Sequence, residues 1–141
     1  YTGGGYMHTT DDRTPVTFIT RYYLDKIKRL CDAHGTKLLF VTAPSPVNHT
    51  MQRHNEVQAL ADALAVPYLD LNLNTEELGI DWNLDTLDGG DHLNYTGCQK
   101  ATAYLQWYMQ THYTLPDRRD DVRYEAWNKQ AEEFEKLLPQ P

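Results

Sequence analysis

Lys37-Leu38-Leu39-Phe40-Val41-Thr42 and Val66-Pro67-Tyr68-Leu69-Asp70-Leu71 decide the fold. The first run is almost wholly apolar and does not alternate, which suits a strand covered on both faces, as in a parallel sheet. The second has the same character and tolerates Pro67 because proline stands near its start. Before the first run, Ile19, Tyr23, Ile27 and Leu30 recur at helical spacing, with Leu24 and Cys31 widening the stripe. His34-Gly35 then supplies a helix stop. Between the two runs, Met51 to Leu64 repeats the helical pattern with Val57, Leu60, Ala61 and Leu64 on one side.

Further along, about Thr96 to His112 forms a third helical stretch with Ala101, Tyr104, Leu105 and Tyr108 together. Leu115-Pro116-Asp117 breaks it, and Trp127, Ala131, Phe134 and Leu138 mark a last amphipathic helix. Alternating helices and apolar strands imply an α/β fold with right-handed crossovers. Two strands are too few for this many helices, so the expectation is part of a doubly wound parallel sheet. Its remaining strands would come from an upstream half of the same protein or from a partner chain. The expected division is an irregular lead-in over 1–16, the α/β part over 17–115 and a C-terminal helical extension over 116–141.

A chain of 141 residues is about the size of one domain. Its net charge of −7 argues against a nucleic-acid partner, which needs a basic face. No apolar run approaches a membrane span, and the first residues lack the charged-then-apolar order of a signal peptide. Cys31 and Cys98 form no disulfide framework or metal-like spacing, and both read as small buried apolar residues. Gly3-Gly4-Gly5 does not sit between a strand and a helix, which rules out a phosphate loop.

The chemistry concentrates in Asp85-Thr86-Leu87-Asp88-Gly89-Gly90-Asp91-His92-Leu93-Asn94-Tyr95-Thr96-Gly97. Titratable side chains on a glycine-rich loop suit acid–base work, because the backbone can turn sharply and aim them. His92 is the candidate base. Asp88, four residues back across two glycines, can reach the ring nitrogen that faces away from a substrate. Asp91, directly adjacent, more easily points to the other side of the backbone. Ser45 is the only serine in the chain and lies in the loop Ala43-Pro44-Ser45-Pro46-Val47-Asn48-His49 at the first strand's C-terminal end. Ligands bind at that edge of parallel sheets. Without a flanking glycine or a helix start right behind it, Ser45 makes a poor nucleophile and a better positioning residue. A metal grouping of Asp88, Asp91 and His92 with His49 or His54 has no specific spacing, so no metal or cofactor is expected. His8, His34 and His112 read as surface or capping residues.

Taken in order, the segments from Tyr23-Leu24-Asp25-Lys26-Ile27 through Ser45, then Val66 to Asn72, then Asp88 to Gly97, resemble the C-terminal part of an SGNH (GDSL-type) hydrolase. Tyr113-Thr114-Leu115-Pro116-Asp117-Arg118-Arg119 and Trp127 resemble the ending of its bacterial cell-envelope branch. The resemblance implies a flavodoxin-like sheet with a Ser-His-Asp site that hydrolyses or transfers acyl esters, often acetyl on a polysaccharide, outside the cytoplasm. It implies His92 as catalytic histidine and Asp88 or Asp91 as its acid, since Gly89 stands where the family's usual Asp lies. Ser45, Asn48 and Asn94 are then expected at the substrate. Neither Gly-Asp-Ser nor Gly-x-Asn-Asp occurs here, so the nucleophile and oxyanion groups are expected outside this chain. The alternative is a carbohydrate-binding or assembly module without the nucleophile, using Tyr104, Trp107, Tyr108 and Tyr113 to stack on sugar rings.

Overall fold

A computed structural model of the chain describes residues 1–3 and 5–138. Gly4 of the triple-glycine stretch and residues 139–141 of the C-terminal extension lie outside the described residues. Four helices fall where the apolar periodicity places them, α1 (Phe18–Ala33), α2 (Met51–Leu64), α4 (Tyr95–His112) and α5 (Glu125–Leu137), and a short α3 (Thr75–Leu78) lies where no apolar period predicts one. Local chemistry sets their ends. Thr17 accepts the Thr20 N–H at the start of α1, and Thr50 accepts the Arg53 N–H at the start of α2. His34 caps the C-terminus of α1, and Gly35 follows at φ +64°.

The strands fall in the expected runs but are short: β1 is Phe40–Thr42 and β2 is Tyr68–Asp70. They pair in parallel, with Phe40 opposite Tyr68, Val41 opposite Leu69 and Thr42 opposite Asp70. This corrects the expectation of a doubly wound, flavodoxin-like sheet. The described residues, 52% of them helical, form one open two-stranded sheet. The physical reason lies in edges. Each strand has a neighbour on one side only, and Pro67 has no N–H to extend the ladder. The runs are therefore apolar enough for a longer strand, but only three residues of each find partners.

The same shortage of sheet shows in the helices. The α1 stripe expected to face a core is uncovered, with Ile19 65% and Leu30 61% exposed and no residue of α1 buried. Buried apolar side chains are instead gathered around α2 and β2: Leu60, Ala61, Val66, Leu69, Leu71 and Leu78. Pro44 is fully enclosed. Cys31 is half-buried, and Cys98 is exposed rather than a core residue.

The chain forms two compact units, Tyr1–Leu105 and Gln106–Pro141. In the first, residues 5–16 have no regular structure but are tied down by specific bonds. Thr14 N–H donates to the Gln52 carbonyl (3.1 Å), Asn55 Nδ2 to the Thr10 carbonyl (2.7 Å) and the Tyr6 hydroxyl to Asn72 Oδ1 (3.0 Å). Buried Glu56 on α2 accepts from the Val16 N–H and pairs with Arg21 of α1. In the second unit, Asp121 receives the Arg123 N–H (3.1 Å) at the turn into α5, and Arg118 lies over the Tyr124 ring. Among the described residues, no helix is long and apolar enough to cross a membrane.

Candidate functional site

The loop before α4 folds back on itself. Thr86 and Leu93 form an isolated antiparallel bridge, the Leu87 N–H donates to the His92 carbonyl (2.9 Å) and the Asn94 N–H to the Asp85 carbonyl (2.9 Å). The reversal between them needs Gly89 and Gly90 at φ +70° and +103°. A side chain at Gly90 would also meet Pro46 Cγ at 3.0 Å, so the glycine lets this loop lie against the proline-rich one.

That turn brings His92 onto Asp88. One carboxylate oxygen accepts the His92 backbone N–H (2.7 Å), and the other lies 2.6 Å from ring Nδ1. Asp91 Oδ2 is 3.5 Å from the same nitrogen. Its other oxygen is engaged by Asn48 Nδ2 and, at 3.4 Å, by the Ser45 hydroxyl. The two carboxylates therefore divide their work. Asp88 orients the imidazole, while Asp91 joins the His92 loop to the 43–49 loop. Ring Nε2 of His92 has no hydrogen-bond partner among the described residues, and the side chain is 68% exposed. The hydrogen bond that the ring donates to Asp88 raises the His92 pKa, with the charges of Asp91 and Asp88 adding to it. Reciprocally, the imidazole holds the Asp88 carboxyl below its ordinary range.

The three residues expected at the substrate are all drawn into the loop framework. Ser45 Oγ accepts the Asn48 N–H (3.1 Å) and donates to Asp91. Asn48 is spent on Asp91. Asn94 caps α4: its Oδ1 accepts the Gly97 N–H (3.1 Å), and its Nδ2 donates to the Leu84 carbonyl (2.6 Å). Beneath them lies Asp85, a buried carboxylate that sequence reading left without a role. It accepts the Asp81 N–H (2.8 Å), the Thr96 hydroxyl (2.9 Å) and Lys100 Nζ (2.5 Å). These bonds, with Lys100 foremost, lower its pKa despite burial. They tie the loop's entry to the first turns of α4.

A second cluster was also missed. His49 and His54 do not join Asp88, Asp91 and His92; both turn to Asp70 at the end of β2. Asp70 Oδ2 lies 2.8 Å from His49 Nε2 and 2.7 Å from His54 Nδ1, and it accepts the Tyr68 hydroxyl at 3.1 Å. Asp70 Oδ1 accepts the backbone N–H and side-chain amide of Asn72. Burial pushes this carboxyl up, but the bonds from His49, Asn72 and His54 outweigh it and hold the group well below the usual carboxylate range. The available signal was a carboxylate inside a buried apolar run, which demands partners from elsewhere in the chain. Comparison with known proteins finds no matching family model, no matching curated protein and no matching solved structure.

Proposed function

We propose that this chain carries the acid–base half of a serine-type ester hydrolase or O-acyltransferase. The observation that carries the reading is the Asp88–His92 pair at 2.6 Å, with the ring's other nitrogen open and, among the described residues, unpartnered. In this role His92 Nε2 takes the proton of an attacking serine hydroxyl as that oxygen bonds to the ester carbonyl. It then returns the proton to the leaving alcohol, and repeats the exchange as water or an acceptor hydroxyl releases the acyl group. Asp88 holds the tautomer with the proton on Nδ1 and stabilises the imidazolium.

The nucleophile is assigned to residues outside these 141, in the same protein or in a partner chain, because the hydroxyl of Ser45 is already committed to Asp91 and the Asn48 N–H. The resemblance of the Asp88–Gly97 block to SGNH hydrolases supports an acyl ester of a carbohydrate or cell-envelope polymer as substrate, encountered outside the cytoplasm. The test is aryl-acetate hydrolysis by the full-length protein. His92→Ala is expected to lower kcat by roughly a thousandfold or more and Asp88→Asn by a comparable factor. Equal rates in wild type and His92→Ala refute the assignment.

One observation favours a second reading, a carbohydrate-binding module. Trp127, 72% exposed, lines a recess of about 360 Å³ with Arg118, Arg119, Tyr124 and Asn128, an aromatic-and-polar lining suited to a sugar ring. Quenching of tryptophan fluorescence by polysaccharide, lost in Trp127→Ala with the esterase rate unchanged, separates the two.

A further inference from the structure

We propose that His49, His54 and Asp70 form a binding site for a zinc-class divalent metal ion. The three residues come from different parts of the fold: the end of the proline-rich loop, the first turn of α2 and the last residue of β2. Tertiary structure therefore brings their ligand atoms together, all within 4.8 Å of one another. Two imidazole nitrogens and one carboxylate oxygen match zinc and its first-row neighbours. Magnesium and calcium prefer oxygen-only shells.

The hydrogen bonding at Asp70 points the same way. Oδ2 faces three groups, the two imidazole nitrogens and the Tyr68 hydroxyl, although a carboxylate oxygen has about two lone-pair sites. An ion between Oδ2 and the two rings would relieve that crowding. It would take the lone pairs of both imidazoles, whose N–H protons would then sit on the far ring nitrogens, His49 Nδ1 and His54 Nε2. Tyr68 would remain as a donor to the ligating carboxylate. Oδ1 is already anchored by both N–H groups of Asn72, which also bonds the Ala43 carbonyl (3.0 Å) and the Ser45 N–H (2.8 Å). Such outer partners orient a metal-ligating carboxylate.

The distances are compatible. Zinc bonds of about 2.0–2.2 Å in tetrahedral geometry separate ligand atoms by about 3.3 Å. The present N···O separations are 2.7 and 2.8 Å, so each ring must withdraw by about half an ångström. His54 is only half-buried, which allows that movement and gives the ion a way in. Three protein donors leave the fourth position to solvent. The bound ion would fix the 43–49 loop and the start of α2 to the end of β2.

The other convergent set, Asp88, Asp91 and His92, lies on the surface, shares no residue with this site and serves as the internal control. The experiment titrates Zn²⁺ into the chelator-treated chain while following the histidine-ring NMR signals, and measures affinity against a chromophoric chelator. Expected is one Zn²⁺ per chain, with the His49 and His54 ring signals moving and that of His92 unmoved. His54→Gln should weaken binding on the order of 100-fold or more, and His92→Gln should leave it unchanged. Ring signals of His49 and His54 that stay fixed up to ~1 mM Zn²⁺ overturn the proposal. So does equal affinity for Mg²⁺, or a zinc response confined to His92. The wild-type ring signals decide the matter even if His54→Gln does not fold, and none of these readouts depends on esterase activity.

Discussion

Replacing Gly97 with alanine separates helix propensity from packing, because the two give opposite signs. Gly97 lies in the first turn of α4, where alanine is favoured over glycine by up to ~1 kcal/mol on propensity alone. A Cβ built there, however, would stand 2.3 Å from the Asp85 carbonyl oxygen and 3.1 Å from both Asp85 Cβ and Leu93 Cδ2. Carbon–oxygen contacts close at about 3.3 Å, so the carbonyl must retreat by about 1 Å. That carbonyl accepts the Asn94 N–H at 2.9 Å, and a retreat of this size breaks the bond. Overpacking at about 1–3 kcal/mol, plus about 1 kcal/mol for the lost bond, outweighs the propensity gain and leaves a net loss of about 2 kcal/mol. In urea, with a slope of about 1–3 kcal/mol/M, the midpoint should fall by about 1 M. The His92 ring signal should shift as well, since the same carbonyl supports its loop. A Gly97→Ala chain as stable as wild type, or more stable, refutes the packing account.

Two further outcomes follow from the charged groups of this loop. His92 should titrate above its ordinary value of about 6.5, and Asp88→Asn should bring it down towards that value, read by NMR of the ring. The sign for stability is twofold. The raised His92 pKa contributes below about pH 6.5 and fades as pH climbs through the folded-state value, while the lowered Asp88 pKa contributes above about pH 4 and fades as pH drops through its own. The pair thus helps most between those limits, and a His92 titrating at or below 6.5 contradicts the geometry. Lys100→Met removes the leading partner of buried Asp85 and should cost about 1.5–3 kcal/mol. With that partner gone the folded-state pKa of Asp85 rises towards its unfolded value, so the stability the pair supplies above about pH 4 is lost and the decline on acidification is shallower than in wild type, as followed by urea unfolding at neutral and acid pH.

Periodicity and breakers were sufficient to place α1, α2, α4, α5 and the two parallel runs, because those signals are local: the His34-Gly35 stop acts within a turn of itself, whereas the Thr17 and Thr50 caps and the single turn of α3 emerged only with the structure. The contact of Asp88 with His92 was legible for the same reason, the carboxylate lying four residues away across two glycines. Sheet size was not, since apolarity says that a strand can be covered on both faces without saying that neighbours exist to cover it. That is why the stripe of α1 reads as a core face and stands exposed. The Asp70 hub and the Asp85–Lys100 pair were equally invisible. A buried carboxylate must find partners, but whether His49, His54 or Lys100 meets it depends on how distant segments pack, which only the tertiary structure decides.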